Sequence, residues 1–439
     1  MKRILLFGVF VLLAASVIAF DWGGYLDNTT GYANVPPGGE TIDGLIQRLE
    51  GGLWLEQSVG EWTLDAHGFL RWTPADSPKL LADLNRLTLS TDVTASEAGA
   101  ATFGFTVGRS RYADATGHVL DHTLDGVKLH LNMRRASFRF AAGTTALIQK
   151  PANAIVLSRL DAADLSEPTK LFAPARLIAD FEYRMLELFA GQDFAVAATT
   201  QEDLRPEEEL TAVGTESADP AAGGRVDTQY VTVRSTGPVG PGLFQTSYYT
   251  LNSGRRLEYV EDADAGTGFS YQYRPVLAHL AGTQLTWFLP EVLNSRARLF
   301  GQFSTGESEK TEWSDRFVPL APPSYSDVFT LQPGNSAHLG VSYSVRPLAA
   351  LDSDVLQTEL AGVFYFRSTG SGRVSEPAVE PASEGAFLGS DINLELTAVP
   401  FSDLRLVLKG GLFVPNASVM SADNKNVDYQ TSLQGVLRF

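Results

Sequence analysis

The final segment of the chain, residues 428–439, places the strongest constraint on what this sequence can fold into. Its residues alternate with a period of two, which is the period of a β-strand. Half-buried strands of soluble proteins also alternate in this way. A terminal aromatic residue at the end of such a strand is typical of the strand that closes a membrane β-barrel. One face carries Tyr429, Thr431, Leu433, Gly435, Leu437 and Phe439, and the other carries Asp428, Gln430, Ser432, Gln434 and Arg438, with Val436 as the apolar exception.

The first segment predicts export. Lys2 and Arg3 precede an apolar run over residues 4–15, and small residues stand before a cleavage site expected after Ala19. The run is too short to favour an uncleaved transmembrane anchor. We therefore interpret residues 1–19 as a signal peptide and residues 20–439 as one mature domain.

Composition narrows the class of protein. The chain has no cysteine, which excludes disulfides and thiolate metal sites. Its formal net charge is −17, and −19 once Lys2 and Arg3 are removed (−17 − 2). The basic footprint of a nucleic-acid-binding protein is therefore absent. No later run of about 18 apolar residues predicts a membrane helix, whereas a barrel would be hidden in such averages because its two faces alternate.

Residues 62–72 measure the apolar band of the predicted barrel. Trp62, Leu64, Leu70 and Trp72 share a face with Ala66 and Gly68, opposite a mostly polar face. Ten residues at ~3.3 Å, tilted by ~40°, separate the two tryptophans by roughly 25 Å. This is about the height of the apolar band between the two aromatic girdles of an outer-membrane barrel.

Similar segments recur along the chain and predict an all-β fold, a single transmembrane antiparallel up-and-down β-barrel of about 18 strands. The residues between Arg255 and Tyr273 are ambiguous, so 16 strands is the alternative count. The predicted strands are 23–30, 48–56, 62–72, 85–92, 101–108, 126–132, 136–142, 176–183, 194–200, 227–235, 243–251, 281–288, 295–303, 337–346, 357–367, 389–398, 404–413 and 428–439.

The predicted connections alternate between short and long. Short connections are expected at 59–61, 133–135, 236–242, 289–294 and 399–403, and long ones at 145–175, 201–226, 252–280, 306–336 and 368–388. Outer-membrane barrels have short periplasmic turns and long external loops, so both ends of the mature chain are expected on the periplasmic side.

Two of the long loops have unusual compositions. Residues 201–227 are acidic, which indicates solvation first and cation bridging to lipid headgroups only as a second interpretation. Residues 145–175 are instead rich in apolar side chains such as Leu147, Ile148 and Ile155. An apolar loop is costly in water, so we expect it to fold into the barrel mouth and narrow the channel.

The polar faces of the strands predict a water-filled interior, because 18 strands enclose more space than side chains can fill. If Leu404 lies opposite Ala398, then Lys409 lies opposite Asn393, with Asp391 and Glu395 as diagonal neighbours. Many inward charges would then form cross-strand ion pairs. The candidate pore-lining residues are Arg109, Lys128, Arg296, Arg298, Glu359, Asp391, Glu395, Arg405 and Lys409, and the barrel-closing residue is Phe439.

Two parts of the chain resemble the alginate-export type of outer-membrane barrel. Residues 105–112 (FTVGRSRY) with 120–129 resemble a strand, loop and DG-strand of that family, and 389–394 (GSDINL) with 412–416 (LFVPN) resemble a late motif. The resemblance covers roughly 101–140 and 336–416. It implies an 18-stranded passive porin selective for a charged saccharide, with Arg109, Lys128 and Asp391 lining the pore. The sequence departs from the family at Ser110 and Asn416, where glutamine and glycine are usual.

Enzyme signatures are absent from the sequence. The six histidines show no HExxH arrangement, and the nearest approach to metal-ligand spacing is His118 with His122. No G-x-S-x-G motif occurs either. We therefore expect a passive channel of the cell outer membrane for small hydrophilic or charged solutes, saccharides among them, without cofactor or metal. Expected partners are outer-membrane lipid and, through the last strand, the barrel-assembly machinery, but no nucleic acid. The alternative is an adhesin or structural barrel whose long acidic loops bind external ligands.

Overall fold

A computed structural model describes the residues 20–34, 44–74, 79–94, 101–206, 224–261, 269–306, 313–322, 326, 328–329, 331–351, 353–369, 384–420 and 426–439. The predicted signal peptide lies outside the described residues, as does most of the acidic stretch 201–227. The signal peptide therefore stays a prediction.

Eighteen antiparallel strands form one closed sheet, which confirms the predicted barrel and the higher strand count. Each strand pairs with its neighbours in the chain, and β1 pairs with β18. The strands are β1 Asp21–Ala33, β2 Leu45–Val59, β3 Trp62–Thr73, β4 Lys79–Thr94, β5 Ala101–Ala113, β6 Asp121–Met133, β7 Ala136–Thr144, β8 Arg176–Phe189, β9 Gln192–Asp203, β10 Val226–Gly240, β11 Leu243–Glu261, β12 Phe269–Leu289, β13 Ser295–Ser304, β14 Ala337–Val345, β15 Leu356–Phe366, β16 Phe387–Phe401, β17 Leu404–Pro415 and β18 Asp428–Arg438.

The two ends of the chain close the barrel. Tyr25 to Ala33 of β1 pair with Arg438 to Gln430 of β18. Beyond this ladder, Phe439 donates its backbone N–H to Gly24 O (3.0 Å) and accepts a hydrogen bond from Gly24 N (2.8 Å). The Phe439 ring also lies against Gly24, where a Cβ atom would be 2.7 Å from it. The structure thus places Phe439 at the closing seam, as the sequence predicts.

The outer wall is apolar because the alternation of each strand points its large apolar residues outward. Trp62, Leu64, Leu70 and Trp72 of β3 are all exposed on this face. β4 keeps four of its five leucines outward, on both sides of a β-bulge that lies opposite His67 and Gly68 and shifts the register by one residue. Leu80 and Leu84 precede the bulge, whereas Leu87 and Leu89 follow it.

The two ends of the barrel differ in their connections. Tight turns at 60–61, 134–135, 190–191, 241–242 and 402–403 define the short-turn end, and longer connections define the long-loop end. Several predicted boundaries were wrong, two of them at long strands. Residues 236–240 continue β10, and much of the predicted loop 252–280 belongs to β11 and β12, which extend to Glu261 and from Phe269.

Helical structure in the described part of the chain is minor. One α-helix, α1 (Arg159–Ser166), and the 3₁₀ turns Lys150–Ala152 and Ala349–Leu351 lie in connections. Ser158 caps α1, since its hydroxyl accepts a hydrogen bond from the N–H of Asp161 and the Asp161 carboxylate accepts one in return. None of these helices is long and apolar enough to cross a membrane.

Candidate functional site

The tip of the β5–β6 hairpin leaves the wall and folds into the lumen. It bends at the paired glycines Gly108 and Gly126. Gly108 has φ +120°, and a Cβ atom there would lie 2.0 Å from Leu87 O, while one at Gly126 would lie 2.0 Å from Ala142 O. Only glycine fits both positions. The bend directs the connection 114–120 toward the opposite wall.

Two arginines of the lumen wall hold this tip. Arg234 of β10 donates a hydrogen bond to Ala115 O (2.6 Å), and Arg139 of β7 donates one to Ala113 O (2.9 Å). Lys128 donates to Arg111 O and lies 4.4 Å from the centre of the Tyr112 ring. These contacts place the tip well inside the barrel, so it narrows the long-loop end.

The connection between β13 and β14 also crosses the lumen. Its residues 317–321 pack against the hairpin tip, where Leu120 and Ala321 form a short parallel bridge. They build an apolar cluster with inward side chains of β5–β12, which we call the hairpin cluster. Its members include Tyr112, Val119, Leu120, Leu124, Ile155, Ile178, Tyr230, Leu280, Phe317 and Leu320.

The same connection then reaches the far side of the barrel. Phe329 stacks on Phe413 of β17 with ring centres 3.9 Å apart and packs edge-on against Tyr365 of β15. We call this second apolar group the Phe329 cluster; it also contains Leu331, Val363, Leu388, Val419 and Met420. Two clusters on opposite walls, joined by one connection, define the constriction.

Residues 145–175 narrow the mouth only in part. Ile148 and Ile155 are buried, as expected of an apolar loop that folds inward, but Leu147 and Val156 are exposed. Buried ion pairs fix α1 to the wall: Asp161 binds Arg176 (2.8 Å) and Arg205 (2.7 Å), and Asp203 pairs with the same two arginines. These carboxylates raise the pKa of Arg205 above its ordinary value, against the opposing effect of its burial.

One sector of the wall stays bare. Among the described residues, neither apolar cluster includes a side chain of β18 or of β1–β4. We call this sector the bare wall. Its inward side chains are mainly polar, with Phe69 and Leu81 as buried apolar exceptions. Three cross-strand ion pairs lie on this face, namely Arg48 with Asp27 (3.8 Å), Arg71 with Glu50 (2.7 Å) and Arg86 with Asp65 (2.6 Å).

The arginine reaches farther into the lumen than the carboxylate in each of these pairs. The exposed fractions of the side chains are 39% and 13% for Arg48 and Asp27, and 55% and 21% for Arg86 and Asp65. Glu50 is buried between Arg71 and the hydroxyl of Tyr25. The pairs are neutral overall, and the arginine is the more exposed partner in each. The same sector also presents the exposed carboxylate of Asp92 on β4.

The predicted residues of β13–β17 lie on the inward face. Arg296 (3.3 Å) and Arg298 both bind Glu359, and Arg298 also donates to the Ser342 hydroxyl (2.9 Å). Lys409 lies directly opposite Glu395, with Nζ 3.7 Å from Oε2, so the predicted register that placed it opposite Asn393 was wrong by two residues. Arg405 is exposed and shares the strand face of Lys409, near the short-turn end. Pore lining by these residues stays a prediction.

Two predicted pore residues are instead buried. Arg109 lies between β4 and β5, where it binds Asp83 and Asp125 (2.8 Å each) and donates to Leu147 O (2.8 Å). Asp391 is covered by the Phe329 cluster, and the Ser326 hydroxyl donates to it. The open-pore role predicted for both is corrected. Lys128 does face the lumen, but it is held against the hairpin tip.

His118, on the hairpin tip, does not form a metal site with His122. Within the described chain, no group of three His, Asp or Glu side chains is placed to hold a metal ion. His118 stacks on Tyr248 of β11 with ring centres 4.7 Å apart. Its burial lowers its pKa to about 4, helped by Arg234 and opposed by Asp114. The imidazole is therefore neutral at physiological pH.

Sequence reasoning missed the most important element, the inward hairpin tip. The signal was present as glycines at 108 and 126 inside otherwise regular strands, since a glycine in a strand often marks a bend or a close approach. Arg139 and Arg234 fall in the predicted strands 136–142 and 227–235, but their partners on the tip are too distant in sequence to infer.

Comparison with known proteins is informative only at the level of structure. No family model and no curated protein sequence matches the chain. Solved outer-membrane channels of Pseudomonas aeruginosa are similar over nearly their whole length. OccK5 (OpdH) has a TM-score of 0.56 at 14% identity, covering 96% of this chain and 98% of that one. OccK2 (OpdF), solved with glucuronate, has a TM-score of 0.55 at 12% identity and the same coverage. OpdK, solved with vanillate, has a TM-score of 0.55 at 12% identity, covering 96% of this chain and 98% of that one. These similarities show a shared 18-stranded barrel fold.

Proposed function

We propose that this protein is a passive channel of the cell outer membrane for small polar solutes, with carboxylates favoured. The observation that carries the proposal is the bare wall, a polar sector from which both apolar clusters are absent among the described residues. Water can wet such a surface, whereas an adhesin or structural barrel needs no open polar strip. The clusters on the other walls narrow this route to a path along β18 and β1–β4.

The preference for anions follows from the geometry of the ion pairs. Arg48, Arg71 and Arg86 extend beyond carboxylates that stay close to the wall. A solute in a narrow lumen meets these guanidiniums at contact range, and a guanidinium matches a carboxylate in a bidentate manner. Charges in the loops act from farther away and are screened beyond ~8 Å at physiological salt. The wall should therefore outweigh the net negative charge of the chain.

The class of solute is supported by the fold neighbours. Their crystal structures hold glucuronate in OccK2 and vanillate in OpdK, both of which bear a carboxylate. A uronate is also a charged saccharide, so the finer resemblance to alginate-export barrels points to the same chemical class. The cationic pairs of the bare wall suit such a solute.

Orientation and assembly belong to the same proposal. The tight turns would face the periplasm and the long connections the exterior, with the signal peptide directing export. The barrel-assembly machinery would engage β18, whose edge is free until it pairs with β1.

Planar bilayers test the channel. The purified full chain should give discrete conductance steps, with a reversal potential in a salt gradient on the anion-selective side. Arg86→Gln should shift this potential toward cations, because Asp65 would lose its partner. The matched control is Arg346→Gln, whose residue is also exposed and paired with an aspartate, Asp354 (3.0 Å), but in the β14–β15 connection at the short-turn end. Absence of conductance would contradict the proposal and favour the adhesin.

Lys409→Glu tests the part of the wall next to the bare wall, on β16 and β17. Glu359 and Glu395 lie directly opposite each other, and Lys409 follows in the same row. The variant should move the reversal potential toward cations by more than Arg86→Gln does, because it changes the charge by two. An unchanged potential would show that β16–β17 do not line the conducting path.

A further inference from the structure

The wall has an incomplete seam between β4 and β5. Both strands are described in full, yet their ladder ends at Leu87 opposite Arg109. Residues 79–86 of β4 remain paired with β3, and residues 110–113 of β5 remain paired with β6. The cause is the bend at Gly108, which carries the end of β5 inward and leaves the upper edge of β4 without its neighbour.

This seam lies within the apolar band. Ala82 is opposite Leu70. The next outward pair toward the long-loop end joins Leu80 to Trp72, one of the two tryptophans whose spacing matches the height of the apolar band. Edge groups of a strand at membrane depth must be satisfied, because lipid offers them no hydrogen-bond partners. Something other than β5 therefore has to cover β4 here.

The base of the connection 145–175 covers the gap. Its two arms form a short hairpin, in which Gln149 bridges Phe172 and Ala173 N donates to Ile148 O (2.8 Å). We call residues 145–150 and 171–176 the seam hairpin. Its Gln149 side chain donates to Ala82 O (2.7 Å). Arg109 completes the closure, since it binds Leu84 O (3.3 Å), Asp83 and Leu147 O.

Side chains, not a backbone ladder, bind the edge of β4 at this seam. The Ala82 and Leu84 carbonyls, which a neighbouring strand would satisfy, accept hydrogen bonds from a glutamine and an arginine instead. Such contacts can break one by one without unzipping a ladder. Leu80, Leu147, Leu171 and Phe172 are exposed apolar side chains around the seam. Arg109 binds Asp83 and Asp125 across it, whereas the two cations of the seam hairpin are held elsewhere, Lys150 by Glu167 O and Arg176 by Asp161 and Asp203.

We propose that this seam is a lateral port, through which an amphipathic molecule with a cationic head group passes between the lumen and the outer half of the membrane. The port opens when the seam hairpin separates from β4. The exposed leucines and Phe172 suit an apolar tail. The head group would replace Arg109 beside Asp83 and Asp125, whose two charges exceed that of Arg109 by one. The bare wall favours small anions, so the two routes differ in charge preference.

Cross-linking the seam hairpin to β4 tests the port. The chain has no cysteine, so Ala82→Cys with Gln149→Cys gives a unique pair for a bis-maleimide on the full chain in vesicles. Thr30→Cys with Gln47→Cys is the control pair, because these exposed residues face each other across the complete β1–β2 ladder. Uptake of radiolabelled decyltrimethylammonium, tetramethylammonium and glucuronate is compared with protein-free vesicles.

The seam cross-link should lower decyltrimethylammonium uptake about fivefold while the other two solutes change less than about twofold. The control cross-link should alter none of the three. An equal fall for all three solutes, or an unchanged uptake of decyltrimethylammonium, would overturn the port. Loss of glucuronate uptake alone in the uncross-linked protein would contradict the channel proposed above and leave the port intact.

Weakening the contact between the seam hairpin and β4 should raise decyltrimethylammonium uptake, the opposite of the effect of the cross-link. Gln149→Ala removes one hydrogen bond and should raise decyltrimethylammonium uptake about fivefold. Gln192→Ala is the matched control, since Gln192 makes the same kind of side-chain bond to Pro238 O (2.6 Å) at the short-turn end. Equal uptake of decyltrimethylammonium by the two variants would overturn the proposal that the Gln149 hydrogen bond to Ala82 O keeps the seam closed.

Discussion

The bare wall and the opposite, covered wall obey the same strand alternation but differ in what their inward positions carry. On β1–β3 these positions hold Asp27, Glu50 and Asp65 with their arginines. On the covered wall many of them hold apolar residues such as Ile178 and Leu280. An inward position therefore becomes pore surface or core according to whether a connection folds over it.

The physical reason is the cost of dehydration. A charged side chain facing water keeps its solvation, so the ion pairs of the bare wall need only loose geometry. Under an inward loop the same charge would be dehydrated, so it must be apolar or fully paired. Arg176 with Asp161 and Asp203 illustrates the second solution, since all three side chains are buried.

Deletion of Phe439 should have the largest effect, because the bare wall closes only through β1 and β18. It removes two backbone hydrogen bonds and the ring packed on Gly24. We expect about tenfold less folded barrel in the outer-membrane fraction, measured by heat-modifiable gel mobility. Phe189→Ala, at an exposed aromatic of the same barrel end, is the control. Normal levels of the deletion variant would show that closure tolerates loss of the last residue.

Removal of one arginine from each wall compares the walls directly. Arg176→Met leaves two buried carboxylates to share Arg205 and should cost about 3–5 kcal/mol. Arg86→Met leaves the partly exposed Asp65 in contact with the lumen and should cost about 1 kcal/mol or less. Urea unfolding followed by tryptophan fluorescence measures both. Equal costs would mean that the covered wall is no drier than the bare one.

Phe329→Ala should release the crossing connection from the covered wall. The ring stacks on Phe413 and packs on Tyr365, so its truncation should cost about 3 kcal/mol of local packing. We expect a higher single-channel conductance because the constriction widens. Phe303→Ala, which removes an outward ring of β13, should leave conductance unchanged. A lower conductance in Phe329→Ala would contradict the proposed constriction.

Acid should loosen the hairpin tip, which is the smallest expected effect. The lowered pKa of His118, about 4, means that an unfolded tip binds a proton more readily than the folded one. Folded-tip stability is therefore complete above the ordinary pKa of 6.5 and is lost as pH falls toward 4, by about 1 kcal/mol per pH unit. Hydrogen exchange of residues 114–120 at pH 7 and pH 5 measures this.

His118→Gln is the control for the acid effect, since it removes the titrating group while Asp114, Arg234 and the neighbouring His338 remain. Its exchange rates should depend less on pH than those of the unaltered chain. An equal dependence would assign the acid effect to one of those neighbours.

The pairing register of β16 and β17 is a feature that the local sequence predicted wrongly. The predicted loop 399–403 placed Leu404 opposite Ala398, but β16 continues to Phe401 and the turn is only two residues long. Pro400 suggested a loop, whereas a proline is tolerated at an irregular strand end, and the register shifts here between Ala398 and Phe401. One misplaced turn moved every pair of the β16–β17 ladder by two residues.

The sequence by itself determined the barrel, its strands and the position of Phe439, because a period of two and short turns are local properties of the chain. Only the tertiary structure decided which inward residues meet water. Ser326 covers Asp391 from 65 residues away, and Arg234 holds Ala115 across 119 residues. Such contacts depend on where loops travel inside a closed wall. Local alternation does not encode that path, and so Arg109 and Asp391, inward by pattern, became parts of a seam and a core.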